Sequence, residues 1–520
     1  MQRRRYAPLI AVSVLATLAP GLAAAAPAAA APEAPARAAG PLDSYAQQKL
    51  SWKRCDINLA ASLRCATVKV PLDYGEPRGK TLDVEISRIK TSLPGQRRGV
   101  LFSNPGGPGG AGLDLPLELR KYLPVPVQAK YDLIGFDPRG IGRSSPVECG
   151  LNKQDQKWPR QYRDKTFAGD VAWAKGVAGK CRANVGERLS HITTRNTARD
   201  MDVIRAVLGE KKISYFGGSY GTYLGAVYTQ MFPQRSDRFV LDSAVDPKLA
   251  WRGTFQLWGS DAERAFKRWT ENTARRNAEF GLGDTPAAVS RTFWDIIRQA
   301  DRKPITIGDT PFTGAEIRDL MRAQFFTVQN AAEAVVMLRD AAAGKPTPEI
   351  PHGEENDNFF SSFWSIICGD TRTWSKDPQT YREESIRDRA KYPLYGDFAS
   401  NITPCASWDK AVEPATAVDN RVPSLIVQNE WDSQTPLSTA EGMHRALKGS
   451  RLVTVDEGEG HGVYGFNECA DGVTDAYLLT GKLPAGNVTC GVTPADASAR
   501  SAEPRSFPVT PLPPALRARF

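Results

Sequence analysis

The chain has 520 residues, 41% hydrophobic and 24% charged, which is long enough for a large core and typical of ordinary globular proteins. Part of its formal charge of +9 is N-terminal, because residues 1–40 carry Arg3, Arg4, Arg5 and Arg37 against Glu33. No Lys/Arg block lies elsewhere, so composition excludes neither enzyme nor binding protein but gives no ground for nucleic acid or an anionic membrane as partner.

In chain order, "RRR" and an apolar run from about Ala7 to Leu18 precede small residues with Ala-x-Ala spacing, the pattern of a secretory signal peptide. That run is too short to span a bilayer, so no stable membrane anchor is expected. An Ala/Pro-rich linker follows to residue 40. "ATVKVPLDY" and "TLDVEISRIK" alternate like an edge hairpin. "GVLFSNPGGPGGAG" and "YDLIGFDPRGIGRSS" are apolar strands running into turns. "NTARDMDVIRAVLG" reads as an amphipathic helix, with Asn196 or Thr197 as cap and Gly209 as stop. "ISYFGGSYG" and "RFVLDSAVDP" are further strands. Apolar strands alternating with helices predict a parallel sheet covered on both faces. Between Pro247 and Ser407 the period turns helical and strand signals fade; sheet logic resumes at "SLIVQNEWD" and "RLVTVDEGEGHGVYG". The expected organisation is therefore 1–40 signal and linker, 41–246 first part of an α/β core, 247–407 helical cap, and 408–520 the rest of the core with a Pro-rich tail. Eight cysteines in an exported chain predict disulfides, most simply between sequence neighbours: 55 with 65, 149 with 181, 368 with 405, and 469 with 490.

Gly217-Gly218-Ser219-Tyr220-Gly221 is a Gly-x-Ser-x-Gly pentapeptide between a strand and a helix. In that setting a sharp turn lifts the serine hydroxyl clear of the sheet and directs free helix N–H groups at a developing negative charge. A serine needs a base. Of the four histidines, His191 precedes a helix, His352 lies in an acidic loop, and His444 sits within a helix; His461 occupies a glycine-lined loop after the last strand. Asp432, directly after another strand, is the candidate to orient it, with Glu430 as competitor. The N–H of Tyr220 supplies one oxyanion donor, and Gly106 or Gly107 of "NPGGPGG" the other. No metal-ligand spacing or dinucleotide fingerprint outranks this constellation, so no cofactor is expected.

Together "NPGGPGGAG", "YDLIGFDPRGIGRS", "GGSYGTYLG", "VLDSAVDP", "NEWDSQTP" and "GHGVYG" resemble the secreted tripeptidyl aminopeptidases of actinobacteria, α/β-hydrolases related to proline iminopeptidases. The likeness runs from about residue 50 to residue 495. It implies the α/β-hydrolase fold with an inserted helical cap, Ser219 as nucleophile, Asp432 as acid and His461 as base. It further implies release of short peptides, typically tripeptides, from the free N-terminus of a peptide or protein; some relatives prefer proline-containing substrates. An exopeptidase must recognise an α-ammonium, and Glu355 and Asp370 of "HGEENDNFFSSFWSIICGD" are the carboxylates favoured for that task. The competing readings are a secreted esterase or lipase with the same triad and a catalytically inert binding protein. A monomer is favoured.

Overall fold

The computed structural model describes residues 42–56, 59–325, 327–348 and 356–492. The expected signal peptide, His352, Glu354, Glu355 and the C-terminal tail lie outside the described residues.

Ten strands form one sheet: β1 (Lys53–Arg54), β2 (Arg64–Pro71), β3 (Thr81–Ile89), β4 (Gly99–Asn104), β5 (Tyr131–Phe136), β6 (Ile213–Gly218), β7 (Ser236–Asp242), β10 (Ser424–Trp431), β11 (Arg451–Glu459) and β12 (Val488–Cys490). Their order is β1-β2-β3-β5-β4-β6-β7-β10-β11-β12. The first three strands and their junction with β5 are antiparallel; every pairing from β5 to β12 is parallel. β4, β5 and β6 are buried at every residue, which is why they read as unbroken apolar runs. Helices flank this sheet, and the arrangement is that of an α/β-hydrolase. The carboxyl ends of the parallel strands all open on one edge, where such sheets place their chemistry.

β7 and β10 are neighbours in the sheet, with Val240 opposite Leu425, yet the chain between them makes a long excursion. It runs through helices Arg252–Arg275, Pro286–Arg302, Gly314–Gln324, Val328–Ala342, Asp357–Gly369 and Pro378–Lys391. Phe266, Trp269, Phe293, Leu320, Phe325 and Val335 give the first four helices an apolar cluster of their own. Two findings differ from the sequence expectation here. A short antiparallel hairpin, β8 (Ile305–Ile307) and β9 (Thr310–Phe312), interrupts the helices. The segment that carries the favoured carboxylates is from Asp357 onward a buried helix, whose Phe359, Phe360, Phe363 and Trp364 belong to the central core.

The helix before the elbow spans Thr194–Val207 and is capped by Thr193, not by Asn196 or Thr197. Thr193 accepts the Asn196 N–H, so the chain turns helical about one turn earlier than expected. The "FDPRG" turn also has a structural task. Arg139 is fully buried; its guanidinium donates to Asp200 at 2.7 Å and to the carbonyls of Pro71, Leu72 and His191. An ion pair so enclosed is costly to break on one side only.

The cysteines form four disulfides between sequence neighbours: Cys55–Cys65, Cys149–Cys181, Cys368–Cys405 and Cys469–Cys490. Among the described residues no helix is long and apolar enough to cross a membrane. The four disulfides are consistent with an extracellular protein.

Candidate active site

The elbow is built by steric exclusion. Ser219 sits between β6 and the helix Tyr220–Met231 with φ 53°, a left-handed value for a non-glycine residue that costs about 1–3 kcal/mol. A Cβ on Gly217 would lie 2.5 Å from the Tyr215 ring and 2.6 Å from the Gly221 carbonyl. A Cβ on Gly221 would lie 2.8 Å from the Asn104 carbonyl and 2.9 Å from its Oδ1. Both flanking positions therefore exclude any side chain. The Ser219 N–H is tied to the Asp242 carbonyl at 2.9 Å, and its own carbonyl accepts the Thr222 hydroxyl at 2.6 Å.

Asp432 directly follows β10 and His461 follows β11. The His461 Nδ1 and Asp432 Oδ2 are 2.8 Å apart. Asp432 also accepts the Gln434 and Thr435 N–H groups, at 2.8 and 2.9 Å, and the Thr435 hydroxyl at 2.9 Å. Burial pushes its carboxyl up, but the adjacent imidazole and these donors outweigh burial and hold it below the ordinary carboxylate value. Glu430, the competitor, instead accepts the Glu457 N–H at 2.9 Å. The helix after this loop is Leu437–Ala446, and Thr435 ahead of it serves Asp432.

Three residues that the motifs did not single out bring the histidine loop to the elbow. Asn429 Nδ2 donates to the carbonyls of Glu459, Gly460 and Gly462 at 3.1, 2.9 and 2.9 Å, clasping both sides of His461. The Asp242 carboxylate accepts the N–H groups of Val463 and Tyr464, while the Asp242 carbonyl holds Ser219. Ser243 Oγ accepts the Gly462 N–H at 2.8 Å. Asp242 thus links the Ser219 turn and the His461 loop. Burial pushes the Asp242 carboxyl up, against the lowering effect of its backbone donors. The signal was present in the sequence: an amide inside the apolar run "SLIVQNEW", and an acid ending "RFVLD", are polar groups in a strand that buries them.

The "NPGGPGG" loop packs directly on the elbow. A Cβ on Gly106 (φ 98°) would fall 2.5 Å from the Gly218 carbonyl and 3.1 Å from the Tyr220 nitrogen. The Gly106 N–H is engaged by Asn104 Oδ1 at 3.0 Å, whereas the Gly107 N–H has no hydrogen bond among the described residues. The two glycines are thereby distinguished, and Gly106 is not available as a donor. Tyr220 is the first residue of its helix, so its N–H has no intrahelical partner.

The other histidines are placed elsewhere: His444 Nδ1 is 2.7 Å from Ser450 Oγ, and the His191 carbonyl serves Arg139. Asp370 requires a correction. Its carboxylate accepts the Thr194 N–H at 2.7 Å, the Thr194 hydroxyl at 2.6 Å and the Trp251 indole N–H at 3.1 Å. Three internal donors already engage it, which leaves it little capacity for an incoming ammonium. It acts instead as a structural group behind Tyr220, whose hydroxyl lies 2.6 Å from Thr194 Oγ1. Burial pushes the Asp370 carboxyl up to about 6.

The family model described as TAP-like protein matches residues 392–490, which include Asp432 and His461. The tripeptidyl aminopeptidase of Streptomyces lividans is 35% identical over 480 residues, covering 86% of this chain and 87% of that protein. The serine protease Hip1 of Mycobacterium tuberculosis is 27% identical over 85% of this chain and 91% of its own. Carboxylesterase B of the same species is 28% identical over 90% of this chain and 95% of its own.

Proposed function

The chain belongs to the tripeptidyl aminopeptidase family of α/β-hydrolase serine peptidases, and we propose that it is a secreted exopeptidase releasing short peptides, chiefly tripeptides, from free N-termini. In this reading Ser219 Oγ attacks the carbonyl carbon of the scissile bond and His461 takes its proton at Nε2. Asp432, held ionised, fixes the Nδ1–H tautomer and steadies the imidazolium. The oxyanion is received by the N–H groups of Tyr220 and Gly107, donors aligned before the reaction begins. His461 then passes the proton to the leaving amine, and water, activated by the same imidazole, releases the peptide from Ser219. Residues 247–407 act as the cap that limits what reaches the serine.

The observation that carries this reading is the 2.8 Å Asp432–His461 contact, tied through Asp242 to a serine at φ 53° on the same sheet edge. Secretion is supported by the four disulfides and the N-terminal sequence pattern. The test is mass spectrometry of products from unblocked and N-acetylated peptides. Three-residue fragments from unblocked peptides only are expected, with all cleavage lost in Ser219→Ala. Equal cleavage of acetylated peptides would refute the exopeptidase reading, and release confined to Pro-containing ends would make it proline-selective. The likeness to carboxylesterase B favours a second reading, an esterase; acyl esters turned over while peptide anilides are untouched would establish it.

A further inference from the structure

One buried carboxylate stands apart from the rest. Asp261 lies on the first helix of the excursion, Arg252–Arg275, and is 6% exposed. Its Oδ1 meets Arg264 at a long 3.4 Å, and Arg264 is itself half exposed. Its Oδ2 is the one buried carboxylate oxygen among the described residues with no hydrogen-bond partner. A buried carboxylate left in that state is unfavourable unless something else satisfies it.

Asp261 lines a cavity between that helix and the Asp432 loop, together with Trp269, Glu430, Trp431, Asp432 and Ser433. Other polar atoms in the wall are also unpartnered: the indole nitrogens of Trp269 and Trp431 and the Ser433 hydroxyl. Such a wall is prepared for a polar guest. The wall carries Asp261, Glu430 and Asp432 against Arg264 and Arg268, and Arg268 is already paired with Glu457 and Glu459, so the balance left for a guest is negative. Burial pushes the Asp261 carboxyl up to about 6, so a neighbouring cation would favour its ionised form.

The same helix also reaches from the elbow toward this cavity. Trp251, at the start of the same helix, touches Tyr220, the residue after the nucleophile, with ring centroids 5.6 Å apart. Further along, Trp258 donates to the Gln434 carbonyl at 2.9 Å, so the helix runs from the elbow to the acid loop. From Trp251 to Asp261 is ten residues, about 15 Å of helix. Three extended residues span about 10 Å, and an ammonium–carboxylate hydrogen bond adds about 3 Å.

We infer that Asp261 receives the α-ammonium of the substrate and, by its distance from Ser219, sets the length of the peptide released. The assignment rests on the aminopeptidase reading above and replaces Asp370 as the anchor. The test compares a free-amine tripeptide p-nitroanilide with its N-acetyl counterpart, on wild type, Asp261→Asn and Asp261→Glu. The readout is the ratio of the two kcat/KM values within each protein, which does not depend on how much of a variant folds. Asp261→Asn should cut this ratio about 10- to 100-fold, mainly through KM of the free amine, as loss of a charged hydrogen bond does. Asp261→Glu should restore part of it. A wild-type ratio retained in Asp261→Asn overturns the assignment. A wild-type ratio near one instead overturns the aminopeptidase reading and the assignment with it, an outcome read on wild type alone.

Discussion

Gly221→Ala probes the link between the elbow and the proposed oxyanion loop. The new methyl group would lie 2.8 Å from the Asn104 carbonyl and 2.9 Å from Asn104 Oδ1, so Asn104 must retreat by about half an ångström. Asn104 Oδ1 holds the Gly106 N–H at 3.0 Å, and the displacement passes to the adjacent Gly107. Loss of one oxyanion donor costs about 10²–10³ in kcat. We expect kcat on a tripeptide anilide to fall about 100-fold with KM little changed, because the donor acts on the transition state. Overpacking should also cost about 1–3 kcal/mol of stability. Gly225→Ala separates the two effects. Its methyl would meet the Tyr215 ring at 2.7 Å and Leu241 at 3.0 Å, on the same helix, without touching Asn104. It should lower Tm and leave kcat near wild type. A folded Gly221→Ala enzyme with wild-type kcat, or equal kcat losses in the two variants, would refute the reasoning.

Two further outcomes follow from the same geometry. Asn429→Asp turns a donor that serves three carbonyls into an acceptor, so Tm should drop by the equivalent of about 1–3 kcal/mol per unsatisfied group, with kcat reduced as His461 loses its clasp; an unchanged Tm would contradict this. Asp370 has a folded value of about 6 against an ordinary 3.8, so the folded chain keeps its proton where the unfolded chain releases it. Its contribution is therefore full below 3.8 and is lost as pH rises through about 6, by roughly 3 kcal/mol. Urea unfolding at pH 4 and pH 7 should show that Asp370→Asn loses this part of the slope, and an identical slope in wild type would count against it.

The sequence by itself determined what depends on local order: the alternation of buried strands and helices, the elbow around Ser219, the Asp and His loops at strand ends, and the neighbouring cysteines that pair. These are legible because backbone geometry and periodic burial act over a few residues. Tertiary structure alone decided what depends on which groups meet. It set Gly107 apart from Gly106 because Asn104 occupies one N–H, and it enclosed Asp370 behind Thr194 and Trp251. It gave Asn429 and Asp242 the work of joining two loops, and it left Asp261 unsatisfied between the helix Arg252–Arg275 and the Asp432 loop. An acidic residue looks the same in a sequence whether its oxygens are filled or open. The difference lies in donors that the fold brings from far along the chain, such as Thr194 to Asp370 across 176 residues.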